Sequence, residues 1–141
     1  MLRRYFVVAN QTLVGDHLAV KIREAMEAGP STFHVIVPAT PAAKTLSWTE
    51  GEAIAAARAR LEEGLEWLRG FGAEVDGEVG DANPLMAIED ALRERECDEL
   101  ILSTLPPGRS RWLKLDLPHV AESRFELPVT HVVAGEEIAA G

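Results

Sequence analysis

Residues 98–134 read DELILSTLPPGRSRWLKLDLPHVAESRFELPVTHVVA, and the order of features in this stretch decides the fold. An apolar run, ELILS at 99–103, is broken by Pro106, Pro107 and Gly108, a short helical piece follows, and VTHVV at 129–133 is a second apolar run. Short continuous apolar runs mark strands covered on both faces, and a helical connection between two of them makes the strands parallel. In open parallel α/β sheets, ligands sit beyond the carboxyl ends of the strands, where the strand order reverses. The loop after the first run gathers Arg109, Arg111 and Lys114, which makes it the candidate anion contact of the chain.

Working outward, residues 5–9 (YFVVA) and 33–37 (FHVIV) are two more buried strands. Between them Leu18, Ile22, Ala25 and Met26 fall at helical spacing over residues 16–28, and Gly29-Pro30 stops that helix. Residues 39–47, with Pro41, form a loop. Thr49 and Glu52 then make a capping-box pattern at the start of a long helix lined by Ile54, Ala57, Leu61, Leu65 and Leu68 and closed by Gly72. Residues 73–79 (AEVDGEV) alternate and carry charge, which suits a less buried strand near the sheet edge. Asn83 is placed to cap a helix that accepts Pro84 in its first turn and turns Leu85, Ile88, Ala91 and Leu92 inward. This rhythm predicts a single α/β domain over residues 1–134, with right-handed crossovers, and a frayed tail at 135–141.

Length and composition narrow the function. A chain of 141 residues suffices for one domain with a real core. No apolar run approaches the roughly 18 residues that span a bilayer, and no signal-peptide pattern follows Arg3 and Arg4, so a cytoplasmic protein is expected. The single cysteine, Cys97, cannot form an internal disulfide, which agrees with a reducing compartment. A formal charge of −9 argues against nucleic acid or an anionic membrane as partner, although a local cationic loop still acts at short range.

No G-x-S-x-G elbow, phosphate loop, dinucleotide fingerprint or zinc-protease helix occurs, so no catalytic residue and no enzyme activity is assigned. Ser103, Thr104 and Ser110 have no base identifiable in the sequence. His17, His34, His119 and His131 lack a metal-ligand spacing, so no metal site is expected. His34 and His131, inside strand runs, should point to polar neighbours at the surface or an interface. Trp112, among leucines at 113, 115 and 117, either anchors the loop or stacks on a base. Cys97, beside a buried strand, reads as an inert small apolar residue.

Three segments carry a resemblance: VVAN at 7–10, VGDANPLMAIEDALRERECDELILS at 79–103 and ELPVTHVV at 126–133. Together they resemble the universal stress protein family over nearly the whole chain. The resemblance implies an open five-stranded parallel sheet in the order 3-2-1-4-5, helices on both faces, and an adenine-nucleotide α-hydrolase-like architecture. It implies a homodimer through the last strand, at Val129, Thr130, His131, Val132 and Val133. It also places a ligand cleft between the loops after strands one and four, bounded by Asn10, Thr12, Pro38, Gly108, Arg109, Ser110, Arg111, His119 and Val120.

Nucleotide-binding members of that family carry glycine, two residues, glycine, nine residues, then glycine and a hydroxyl residue. Those positions fall here on Leu105, Gly108, Pro118 and His119. Glycines let main-chain amides approach phosphates, whereas Pro118 has no N–H and Leu105 adds a side chain. The family's aspartate at the end of the first strand is here Asn10. The expectation is a non-catalytic binding or sensor module in which Arg109, Arg111 and Lys114 contact a small anionic ligand and ATP is not held in the family's manner. His119, in place of a phosphate-contacting hydroxyl, could bind an anion when protonated. Retained ATP binding, and a small enzyme of the related architecture, are the alternatives.

Overall fold

The computed structural model describes residues 2–10, 12–39 and 50–134, with the backbone alone for Glu50 and Arg111. Along it run β1 (Arg3–Val8), α1 (Asp16–Ala28), β2 (Ser31–Pro38), α2 (Glu50–Gly70), β3 (Val75–Gly80), α3 (Pro84–Glu94), β4 (Glu99–Thr104), α4 (Arg111–Lys114), α5 (Leu117–Phe125) and β5 (Val129–Val133). All five strands are parallel, in the order β3-β2-β1-β4-β5. The expected α/β architecture and strand order are therefore those observed.

Burial on two faces explains the layers. Successive side chains of a strand point to opposite sides, so a continuous apolar run needs helices above and below it. Tyr5 and Val7 of β1 join Phe33, Val35 and Ile101 in a core cluster with Leu18 and Ile22 of α1 and Leu61 and Leu68 of α2. Phe6 and Val8 join Ile36, Leu100 and Leu102 in a second cluster with Ile88 of α3 and Leu117 of α5. Every residue of β4 is buried, while β3 and β5, the two edges, are largely half-buried. The charge carried by β3 is thus the edge signal it was read to be.

Element boundaries follow hydrogen bonding rather than hydropathy. Arg3 of β1 already pairs with Ser31 of β2, so both strands start before their apolar runs. Asn83 caps α3, its side chain accepting from the Leu85 N–H at 2.9 Å, with Pro84 in the first turn. The single helical piece expected before β5 is two helices, parted at Asp116, whose left-handed backbone (φ 54°) interrupts the helical path. The Thr49–Glu52 capping box, all but the first residue of the 39–47 loop, and the 135–141 tail lie outside the described residues.

At the amino end of β4, Glu99 ties three elements together. It accepts from Arg3 of β1 at 2.8 Å and from the Thr130 hydroxyl of β5 at 2.6 Å, and Lys21 of α1 lies 3.6 Å away. Burial alone would raise the pKa of this carboxyl, but the hydrogen bonds from Arg3 and Thr130 and the charge of Lys21 outweigh it and hold the pKa below its ordinary value. A carboxylate with a depressed folded pKa stabilises the fold above its unfolded pKa, and that contribution is lost as pH falls through the folded value. Glu99→Gln is therefore expected to destabilise the protein at neutral pH by about 1–3 kcal/mol. In urea titrations the gap from wild type should shrink as pH drops below roughly 4; a gap independent of pH would assign the loss to packing instead.

Candidate functional site

The chain leaves β1 through α1 toward β2 and leaves β4 through α4 and α5 toward β5, so the two connections diverge from neighbouring strands. That divergence opens a crevice at the carboxyl ends of β1 and β4, the ordinary ligand position in a doubly wound sheet.

Asn10, just past β1, forms the first part of the site. Its amide Nδ2 donates to the Pro38 carbonyl at the end of β2 (3.4 Å), and its Oδ1 accepts from the Arg60 guanidinium at 2.5 Å. Arg60 comes from α2, one turn before Gly64, where an added Cβ would overlap the Leu13 side chain. The bare glycine lets α2 lie against the loop after β1, which brings the cation to the crevice. Nothing in the spacing of the sequence marked Arg60.

Thr12 forms the second part. It is buried, and its hydroxyl lies 2.6 Å from the Ser103 hydroxyl near the end of β4. Ser103 Oγ donates to the Thr12 carbonyl at 3.1 Å, and His17 Nε2 lies 2.8 Å from the same Oγ. A serine hydroxyl has one proton. Once that proton is given to the Thr12 carbonyl, the Thr12 hydroxyl and the His17 N–H are the donors to Ser103. The imidazole is folded back over Gly15, where a Cβ would come within 2.8 Å of its ring.

The next residue makes the same kind of contact on the other face. Thr104 Oγ1 lies 2.7 Å from His131 Nε2 of β5, because alternate residues of a strand point to opposite sides. Each serine or threonine at this end of β4 thus has an imidazole partner, which the sequence concealed because His17 lies 86 residues from Ser103. His131 does face a polar neighbour, as expected for it. His34 also faces polar neighbours, as expected, with Nδ1 2.9 Å from Asp76 Oδ1 and Nε2 2.6 Å from Glu78 Oε2 on β3, but it is buried rather than at the surface.

The loop after β4 is organised by its own backbone. Gly108 is exposed with φ 93°, a left-handed turn position, and the N–H groups of Arg109 and Ser110 both donate to the Pro106 carbonyl at 3.1 and 3.2 Å. Ser110, included among the ligand contacts, is buried, and its hydroxyl accepts from the Leu113 N–H at 3.2 Å, so it caps α4. Arg109 and Lys114 are exposed and form no ion pair among the described residues, while the side chain of Arg111 lies outside them. Trp112 packs against the core cluster beneath α3 and α5, the anchoring role.

His119 is exposed on the first turn of α5, with Nδ1 3.3 Å from Asp116 Oδ2, and Val120 beside it is also exposed. Among the described residues neither Arg109 nor His119 hydrogen-bonds to Asn10, Thr12 or Ser103. Around this loop the Arg109 and Ser110 amides are already bound to Pro106, Pro118 has no N–H, and Asp116 puts a carboxylate beside His119. Cys97 is far from reactive; burial pushes its thiol up to about 11, and Sγ donates to the Glu99 carbonyl. Among the described residues no helix is long and apolar enough to cross a membrane, and no group of three or more His, Cys, Asp or Glu could hold a metal ion. No protein-family model and no curated protein matches the chain.

The Ser103–His17 contact has the spacing of a nucleophile and its base, but Ser103 is almost completely buried and its oxygen is enclosed by three partners. It works as a clasp between β4, the loop after β1 and the start of α1. Ser103→Ala is expected to cost about 1–2 kcal/mol of stability, and a serine-directed phosphonylating reagent should leave wild type unlabelled. Labelling that disappears in Ser103→Ala would make this serine a nucleophile.

Proposed function

We propose that this chain is a universal-stress-protein-like, non-catalytic binding or sensor module of the cytoplasm. In this reading it holds a small anionic ligand in the crevice between β1 and β4, and it does not hold ATP in that family's manner. The observation that carries the reading is the Arg60–Asn10 contact at the strand switch point. It sets a cation beside the amide that stands where the family has an aspartate, converting a position that repels anions into one that attracts them. Arg109 adds an exposed cation, without an ion pair among the described residues, on the loop after β4.

The half-exposed Val129, Thr130, His131, Val132 and Val133 support the homodimer of this proposal. Among the described residues they form an edge strand paired on one side only, and unpaired main-chain groups on an edge are a template for a second chain.

Isothermal titration against nucleotides and small phosphate- or carboxylate-bearing metabolites tests the ligand. Binding of at least one compound is expected, weakening about tenfold or more in Arg60→Ala and in Arg109→Ala combined with Arg111→Ala. Higher salt should weaken it further. Silence across the panel, or affinity unchanged in both variants, would overturn the anion reading. Sedimentation should show a dimer that dissociates on dilution; only monomer at high concentration would remove the interface.

A further inference from the structure

At the opposite end of the sheet, on the face that α3 covers, lies a cavity of about 310 Å³, at the lower end of the range for ligand sites. Strand register builds its floor. Arg4 of β1 pairs with Thr32 of β2, and Glu74 precedes the Val75 that pairs with Phe33, so Arg4, Thr32 and Glu74 form one row across three strands. One step deeper, Phe6, His34 and Asp76 form the next row. Arg95, at the end of α3, closes the opposite wall.

The charges of this cavity are oriented before any ligand arrives. Arg95 Nη1 is held by Asp76 Oδ2 at 2.8 Å, and Asp76 Oδ1 is in turn held by His34 at 2.9 Å. Partial burial alone would raise the pKa of the Asp76 carboxyl, but the hydrogen bond and charge of His34 and the charge of Arg95 lower it, so it stays ionised. Arg4 is fixed by Glu96 through Nη1 at 2.7 Å and by Asp98 through Nε at 3.5 Å. Among the described residues each guanidinium therefore keeps a free Nη2 edge. Among the described residues the Thr32 hydroxyl and the Glu74 carboxylate make no side-chain hydrogen bond either. The cavity thus presents unused donors from β1 and from the end of α3, an unused acceptor at the start of β3 and a hydroxyl on β2.

We propose that this cavity binds a small zwitterion carrying both a carboxylate and a primary ammonium, the chemistry of a free α-amino acid. The carboxylate lies against the open edges of Arg4 and Arg95, and the ammonium lies toward Glu74 with Thr32 between them. Strands in a sheet are about 4.8 Å apart, so Arg4 and Glu74 stand roughly 10 Å apart at the backbone and their side chains reach inward over that span. A polyanion is disfavoured because Glu74, Asp76 and Glu96 line the same cavity, and a simple amine is disfavoured by the two guanidinium groups. Only a molecule with both charges pairs each unused group. The site sits at the amino ends of the strands, away from the crevice, so it stands or falls independently of the anion reading.

Amide chemical shifts in the full-length protein test the proposal, with L-leucine and L-serine added at millimolar concentration, followed by leucine amide, which lacks the carboxylate, and N-acetyl-leucine, which lacks the ammonium. Shifts are expected at Thr32, His34 and Arg95 with the free amino acids, with both derivatives at least about tenfold weaker. Glu74 is exposed and unpaired among the described residues, so Glu74→Gln should fold as wild type, weaken leucine about tenfold and bind N-acetyl-leucine no worse than leucine. Arg95→Gln should likewise erase the preference over leucine amide. Absent shifts, shifts confined to the crevice, equal binding of all three leucine compounds, or variants that bind as wild type would each overturn it.

Discussion

The coverage of β1 and β4 on both faces is the constraint on which the remaining structure depends. A strand buried on two sides has no water to satisfy its main-chain groups, so each must pair with neighbouring strands, and each face must carry helices. With β1 between β2 and β4, and β4 between β1 and β5, the unpaired edges among the described residues fall on β3 and β5, the strands with the most exposure. The layers, the edge positions and the crevice at the switch point all follow from that one requirement.

Within this apolar frame, buried polarity collects at the two ends of β4. Glu99 at its amino end gathers Arg3 of β1, Lys21 of α1 and Thr130 of β5, and Ser103 and Thr104 at its carboxyl end gather Thr12 of the loop after β1, His17 of α1 and His131 of β5. Buried polar groups cost free energy unless partnered, and no buried side-chain nitrogen or oxygen among the described residues lacks a partner. The hydrophobic effect sets that the sheet is covered; these directional contacts set which loop lies over which strand end.

Much of this was legible along the chain. The limits of α1 and β5, the Asn83 cap with Pro84, and the edge position of β3 rest on local rules of spacing, capping and charge, and all are present in the fold. What was not legible shares one cause. His34 carries polarity that suggests the surface, yet two carboxylates from the adjacent strand lie within hydrogen-bond distance of its ring nitrogens and permit burial. Ser110 resembled a loop contact, yet its hydroxyl serves the α4 backbone. Arg60 had no reading at all from the sequence, and its place comes from a glycine one turn later that lets its helix lie against the loop after β1.

By itself the sequence determined the sequence of elements and which of them are covered on both faces, because hydropathy, helix caps and turn residues act over a few residues. The resemblance supplied the strand order, which the main-chain pairing then displayed. Only the tertiary structure decided the partners: Ser103 with His17, Asn10 with Arg60, and the row of Arg4, Thr32 and Glu74 across three strands. The physical reason is range. A hydrogen bond or an ion pair forms within about 3–4 Å of space, whatever the distance along the chain, and that separation in space exists only after the sheet has been assembled.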